Sequence, residues 1–185
     1  MLRTLENPIR PRELSKWPKH WHDLVLEVVQ NFELDIDGIH GVSHWTRVLE
    51  NGFRIAETNG ANLKVVTAFA LLHDSRREND GYDPEHGFRG AEYGWHLRQQ
   101  MPTFSDIEFD LFYDAAVYHS DGLMEDDLTI QTCWDADRLD LYRVGIRPDP
   151  RRLCTPEARD PNVIKWAETR SLGEGVRRQR PWESI

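Results

Sequence analysis

An imidazole and a carboxylate stand side by side at His73-Asp74, directly after the apolar run Val65-Val66-Thr67-Ala68-Phe69-Ala70-Leu71-Leu72. Ionisable groups in apolar surroundings persist only by pairing, hydrogen bonding or coordinating metal. Polar residues on other inward helix faces or at helix ends add His44, His86, His119 and Asp137. Imidazole and carboxylate without thiolate suit one or two divalent transition-metal ions (Mn, Fe, Co, Ni or Zn) rather than a structural zinc. These six groups exceed the needs of one ion that keeps a position open for water. They suit two ions bridged by a carboxylate, which helix bundles build from facing helices. The competing reading is a hydrogen-bonded core network. For His86 it is a helix-start residue capping Asp83 or Glu85, and for His119 a satisfied core histidine.

The elements that must carry these groups read as helices throughout, with nothing alternating at the strand period. Leu, Ala and Phe fill every side of the run before His73, so it is a helix buried all round, starting near Ala61. A first helix is expected from Ser15 to Phe32 on the stripe Trp17, Trp21, Leu24, Val28 and Phe32. It carries a second His-Asp pair, His22-Asp23, whose Asp23 shares a face with Glu27 and Gln30 and reads as surface. Asp35-Ile36-Asp37-Gly38 is a turn. Ser43 is the expected N-cap of a helix to Thr58 that puts His44, Val48, Gly52 and Ile55 inward. After a polar loop from Ser75 to Glu85, a helix starts near His86, with Gly90, Tyr93 and Leu97 on one face. Gly90 would let another backbone or a ligand come close. A helix from Asp106 to His119 buries Glu108, Phe112, Ala115, Ala116 and His119. One from Leu128 to Arg143 buries Ile130, Cys133, Trp134, Asp137 and Leu141, leaving Asp135 and Arg138 free for solvent.

The 185 residues suffice for one all-α domain, with a bundle core over about 15–143 and a polar arm over 1–12. The proline- and arginine-rich stretch 145–185 is expected to strap the bundle, with a short helix near Asn162–Thr169 and Trp166 and Trp182 as anchors. A homodimer through the charged tail is compatible with this. No run approaches the roughly 18 apolar residues of a membrane span. No basic-then-apolar leader opens the chain, and Cys133 and Cys154 make no disulfide framework, so the cytoplasm is expected. The net charge of −9 argues against a nucleic-acid polymer as partner. It does not exclude a small phosphorylated substrate, because bound metal reverses the local field.

Five segments together resemble the HD-domain superfamily of metal-dependent phosphohydrolases, with its pattern H…HD…D and two further histidines in di-metal members. They are His44-Trp45-Thr46-Arg47-Val48, Ala70-Leu71-Leu72-His73-Asp74, His86-Gly87-Phe88-Arg89-Gly90-Ala91, Tyr118-His119-Ser120 and Asp135-Ala136-Asp137-Arg138-Leu139-Asp140. The resemblance implies a first metal on His44, His73, Asp74 and Asp137, with Asp74 bridging to a second on His86 and His119. It implies hydrolysis of a small phosphoester, such as a nucleotide, by metal-activated water. Many members follow the His-Asp pair with a hydrophobic residue, Gly and Lys; here Ser75-Arg76-Arg77 stands instead. An arginine fork can take over phosphate binding, which makes Arg76 and Arg77 candidate substrate ligands, against a solvated loop as the plain reading. Glu85 and Asp83 are candidates for proton transfer, with Asp74 at the reacting centre. His40 is placed beside the metal or substrate, in a loop. Some superfamily members use the same six ligands as di-iron oxygenases, and a non-catalytic metal- or nucleotide-binding regulator is the third class.

Overall fold

The computed structural model describes residues 9–122 and 126–173. Among them the regular elements are helical, with no strand. After α1 (Pro11–Leu14) comes a break at Pro18, which lacks the N–H an uninterrupted helix needs. A single 3-10 turn (Lys19–Trp21) then leads into α2 (His22–Gln30). The single helix expected over 15–32 is therefore two pieces, although Trp17 and Trp21 are both buried as the stripe requires. His22 is half-buried, its Nε2 3.0 Å from the Trp17 carbonyl, and Asp23 is exposed.

Helix α3 (Val42–Asn59) starts from Gly41, not Ser43, whose hydroxyl donates to Glu13 at 3.0 Å. It ends at Gly60, where φ of +79° favours a residue without a Cβ. Asn62 then caps α4 (Leu63–Leu72) by accepting from the Lys64 and Val65 amides. Every residue from Val65 to Leu72 is at most 1% exposed. Burial of each large apolar side chain stabilises the fold by about 1.5–3 kcal/mol, so α4 is held from all sides and its end is fixed. It contacts α3, α5 (His86–Leu97), α6 (Asp106–Tyr118) and α7 (Leu128–Arg138). In α6, Ser105 and Glu108 form a capping box, and Phe109 takes the buried position expected of Glu108. Lys64, Ser105 and Asn62 hold the Glu108 carboxyl down to about 2.

Helix α7 stops at Arg138, five residues short of the expected Arg143, and the chain tightens into a 3-10 turn over Leu141–Val144. The stretch beyond it lies over the bundle through α8 (Pro156–Arg159) and α9 (Pro161–Leu172). A second apolar cluster forms there, joining Ile55 and Leu139 to Tyr142, Leu153, Ile164 and Ala167. Trp166 stacks against the guanidiniums of Arg54 and Arg170, at 4.6 and 4.3 Å. Trp182 and residues 1–8 lie outside the described residues. Asp135 corrects the expectation that it is solvated. It is fully buried and accepts from the Cys154 and Thr155 amides, each at 2.7 Å, and from the Thr155 hydroxyl at 2.8 Å. Burial pushes its carboxyl up despite those donors. The face of α7 that looked wet is covered by a segment some twenty residues away in sequence, which periodicity cannot reveal. Arg138 is likewise drawn in, donating to the Arg152 and Gly122 carbonyls. Cys133 and Cys154 are buried and not joined in a disulfide, and no described helix is long and apolar enough to cross a membrane.

Candidate metal centre

Six side chains on, or directly after, five helices (α3 to α7) meet at the end of α4. His44 Nε2 lies 3.1 Å from His73 Nε2, 3.4 Å from Asp137 Oδ1 and 3.3 Å from Asp74 Oδ2. A second group abuts the first: His86 Nε2 lies 2.9 Å from His119 Nε2 and 3.2 Å from Asp74 Oδ1. The two oxygens of Asp74 therefore face different halves of the cluster. Close approach of backbones makes this possible. A Cβ on Gly90 would sit 2.4 Å from the Leu72 carbonyl oxygen, so only glycine lets α5 press against the end of α4 and deliver His86. The close partner of Gly90 is thus backbone.

Whether metal fits can be asked of the protonation pattern. Each ring has its Nδ1 donating elsewhere: His44 to Asp140 at 2.7 Å, His73 to the Phe69 carbonyl at 2.9 Å, His119 to the Ala116 carbonyl at 2.7 Å, and His86 to the Asp83 carbonyl. A neutral imidazole that donates from Nδ1 carries a bare lone pair on Nε2. Two pairs of bare nitrogens thus face each other within 3.1 Å, a repulsive arrangement unless a cation lies between them. Protonating the rings is no remedy at His73, whose pKa burial drives down to about 3. His86 is also lowered, by burial and then by His119. Asp137 Oδ1 is buried and has no hydrogen-bond partner among the described residues. Donors about 2.1 Å from a common ion lie about 3.0–3.4 Å apart, which matches the shorter separations here. The residues fit a metal.

Both carboxylates are ionised. Burial raises Asp74, but His73, His40 and His44 outweigh it and the net shift is well downward. Asp137 is likewise opposed by burial and brought down to about 2 by Arg143 and the histidines. His40 is buried behind Asp74, its Nδ1 donating to Oδ2 at 2.9 Å, and it does not line the adjoining cavity. Asp140 backs His44 and also receives Arg47 at 2.6 and 3.1 Å and the Ser171 hydroxyl.

A cavity of about 560 Å³ opens onto Asp74, Asp137, His86 and His119. Arg77 lines it, with Nη1 3.3 Å from Asp74 Oδ1 and Nη2 donating to the Gly81 carbonyl at 2.8 Å. Arg76 turns the other way, its guanidinium 3.7 Å over the Tyr93 ring and bonded to the Asn31 carbonyl, in a separate smaller cavity. The expectation that it binds substrate beside Asp74 is thereby corrected: consecutive residues in a turn point apart. Asp83 is held by the Arg89 fork at 2.6 and 2.7 Å and by the Glu78 amide, and these donors outweigh burial to lower its carboxyl. It positions His86 through its carbonyl and is not free to carry protons. Glu85 is exposed ahead of α5 and lies outside the cavity lining. Arg143 went unnoticed in the sequence. Its side chain is 8% exposed, with nitrogens 3.7 Å from Asp137 and 3.8 Å from Asp74. Six residues past Asp137 it would leave the helical face; the 3-10 turn brings it back.

No family model and no curated relative matches the chain. A crystal structure described as a predicted HD superfamily hydrolase from an uncultured Thermotogales bacterium does. It is 27% identical with a TM-score of 0.65, and the match covers 87% of this chain and 92% of that one. All-helical architecture and this likeness show that the chain has an HD-domain fold.

Proposed function

We propose that the chain is a metal-dependent phosphohydrolase acting on a small phosphoester. The observation that carries this reading is the pairing of the His/Asp cluster with a cationic cavity. Arg77, Arg138, Arg143, Arg147 and Arg152 line the same cavity as Asp74 and Asp137, in a chain whose net charge is −9. His44, His73, Asp137 and Asp74 would hold one ion, and Asp74, His86 and His119 a second. Bound metal would supply Lewis acidity and lower the pKa of water for attack on phosphorus. Arg77 and Arg143 would hold the non-bridging oxygens beside Asp74, where charge develops as the ester cleaves. Asp140, the Phe69, Ala116 and Asp83 carbonyls would keep each imidazole turned toward the ion it serves. A neighbour described as a hydrolase supports the reaction class. A nucleotide remains an admissible substrate, although no aromatic side chain among the described residues lining the cavity would stack its base.

The test is metal counted per chain in protein purified without chelator, followed by phosphoester turnover and O₂ uptake on the same sample. Phosphate release dependent on the metal is expected. Asp74→Ala and Asp137→Ala should each lower metal content and cut activity by more than about 100-fold, with helical circular dichroism retained. Metal-dependent O₂ consumption without phosphate release would instead favour the oxygenase class, and full activity in either variant would sink the site.

A further inference from the structure

Apart from Arg138, which is taken up by the Arg152 and Gly122 carbonyls, the arginines of the cavity fall into two sets. Arg77, buried, and Arg143, half-buried with its side chain 8% exposed, lie beside Asp74 and are held by the Gly81 and Ile39 carbonyls. Arg147 and Arg152 are exposed, on the stretch between Gly145 and Leu153. That stretch is fixed rather than loose. Gly145 turns the chain at φ +80°, and Pro148 and Pro150 restrict it. Asp149 caps the 3-10 turn Pro150–Arg152, Arg138 holds the Arg152 carbonyl at 2.9 Å, and Asp135 pins Cys154 and Thr155. Of the three arginines here, Arg151 is committed to Asp149 at 2.8 Å. Arg147 bonds to the Tyr142 hydroxyl and Arg152 lies within the field of Asp149, but neither is held in a close salt bridge among the described residues. The lining between the two sets is largely aliphatic, with Leu141, Ile146, Pro148 and Leu153; Asp149 also lines it but is neutralised by Arg151, and no Phe, Tyr or Trp is among the described lining residues. A volume of about 560 Å³ far exceeds what one phosphoryl group fills.

We propose that the ligand of this cavity carries a second oxyanion, carboxylate or phosphate, joined to the reacting phosphoryl group by a short aliphatic link, and that Arg147 and Arg152 recognise it. This rests on the phosphohydrolase reading for the identity of the first group. Guanidinium forks bind either oxyanion in bidentate fashion, and a preformed pair on a restrained segment loses little freedom in doing so.

Binding separates the two readings. Titration calorimetry on the manganese-loaded protein would compare alkylphosphonates with α,ω-alkanediylbisphosphonates and ω-phosphonocarboxylates of matching chain length. The doubly anionic ligands of best length should bind about tenfold tighter than the monophosphonate. The two doubly charged series tell whether the second group is a phosphate or a carboxylate. The double variant Arg147→Gln/Arg152→Gln, at exposed positions and checked by circular dichroism, should erase the preference. Equal affinities for singly and doubly charged ligands, or a preference that survives the double variant, would overturn the subsite. If the preference holds and is lost in the variant, yet the matching phosphate esters are not cleaved under any metal, the subsite stands and the phosphohydrolase reading falls.

Discussion

Asp140→Asn isolates the group that aims His44. The substitution keeps the side chain's volume but removes a buried negative charge that receives His44 Nδ1 at 2.7 Å, Arg47 at 2.6 and 3.1 Å and the Ser171 hydroxyl. Burial raises the Asp140 carboxyl and His44 and Arg47 more than compensate, so the group is ionised and its partners are charge-assisted. Hydrogen bonds to charged groups contribute about 1.5–3 kcal/mol each. The amide also turns one acceptor into a donor, which must face Arg47, His44 or Ser171. A loss of about 2–4 kcal/mol in the metal-free protein follows, or about 5–12 °C in Tm for a chain of this size. Metal affinity should fall separately, by about 10–100-fold, because His44 loses the partner that fixes its tautomer and ring plane. Competition against a chromophoric chelator reads the affinity, and thermal unfolding of metal-free and loaded protein reads the stability. Ser171→Ala is the control, removing the tie from α9 to Asp140 while leaving His44 untouched; it should lower Tm slightly and keep the affinity. A wild-type affinity in Asp140→Asn alongside a lowered Tm would refute the orienting role and leave Asp140 as a clamp between α9 and the bundle.

Other outcomes follow from the same geometry. Gly90→Ala places a Cβ 2.4 Å from the Leu72 carbonyl and 2.9 Å from that of His73, both backbone, so α5 must shift away from α4. A loss of about 1–3 kcal/mol is expected by denaturant unfolding, with weakened binding of the second metal because His86 moves with α5. In the metal-free protein His73 has its pKa lowered from 6.5 to about 3 in the folded state by burial. The unfolded chain therefore binds the extra proton between those values. Stability from this group is full above about pH 6.5 and is lost as the pH falls toward 3, by about 5 kcal/mol in all. Chemical unfolding of the chelator-treated protein between pH 7 and 4 should show the decline, and a flat profile would contradict it. His22→Ala, which loses a bond to the Trp17 carbonyl, should cost about 1 kcal/mol by the same assay and leave metal content unchanged.

The covalent order of the chain by itself determined the all-helical class and the central buried helix. An apolar residue on every side of 65–72 leaves no face for water, whatever packs around it. It also singled out six polar groups that must converge or be paired, since a buried histidine or aspartate without a partner is costly. Asn59-Gly60 and the glycine at 90 were legible for the same local reason: one ends a helix at positive φ, and the other leaves room for a backbone. Tertiary structure decided the rest. Asp135 and Asp137 are two residues apart on α7, yet one anchors the segment carrying Arg147 and Arg152 while the other faces the cavity. Arg76 and Arg77 are adjacent, yet only the second reaches Asp74. Arg143 and Asp140 join the centre because α7 ends early in a 3-10 turn, and Asp83 leaves the list of proton carriers because Arg89 occupies it. Periodicity states which face a residue is on, but which distant segment covers that face is a property of packing between elements, and no local pattern encodes it.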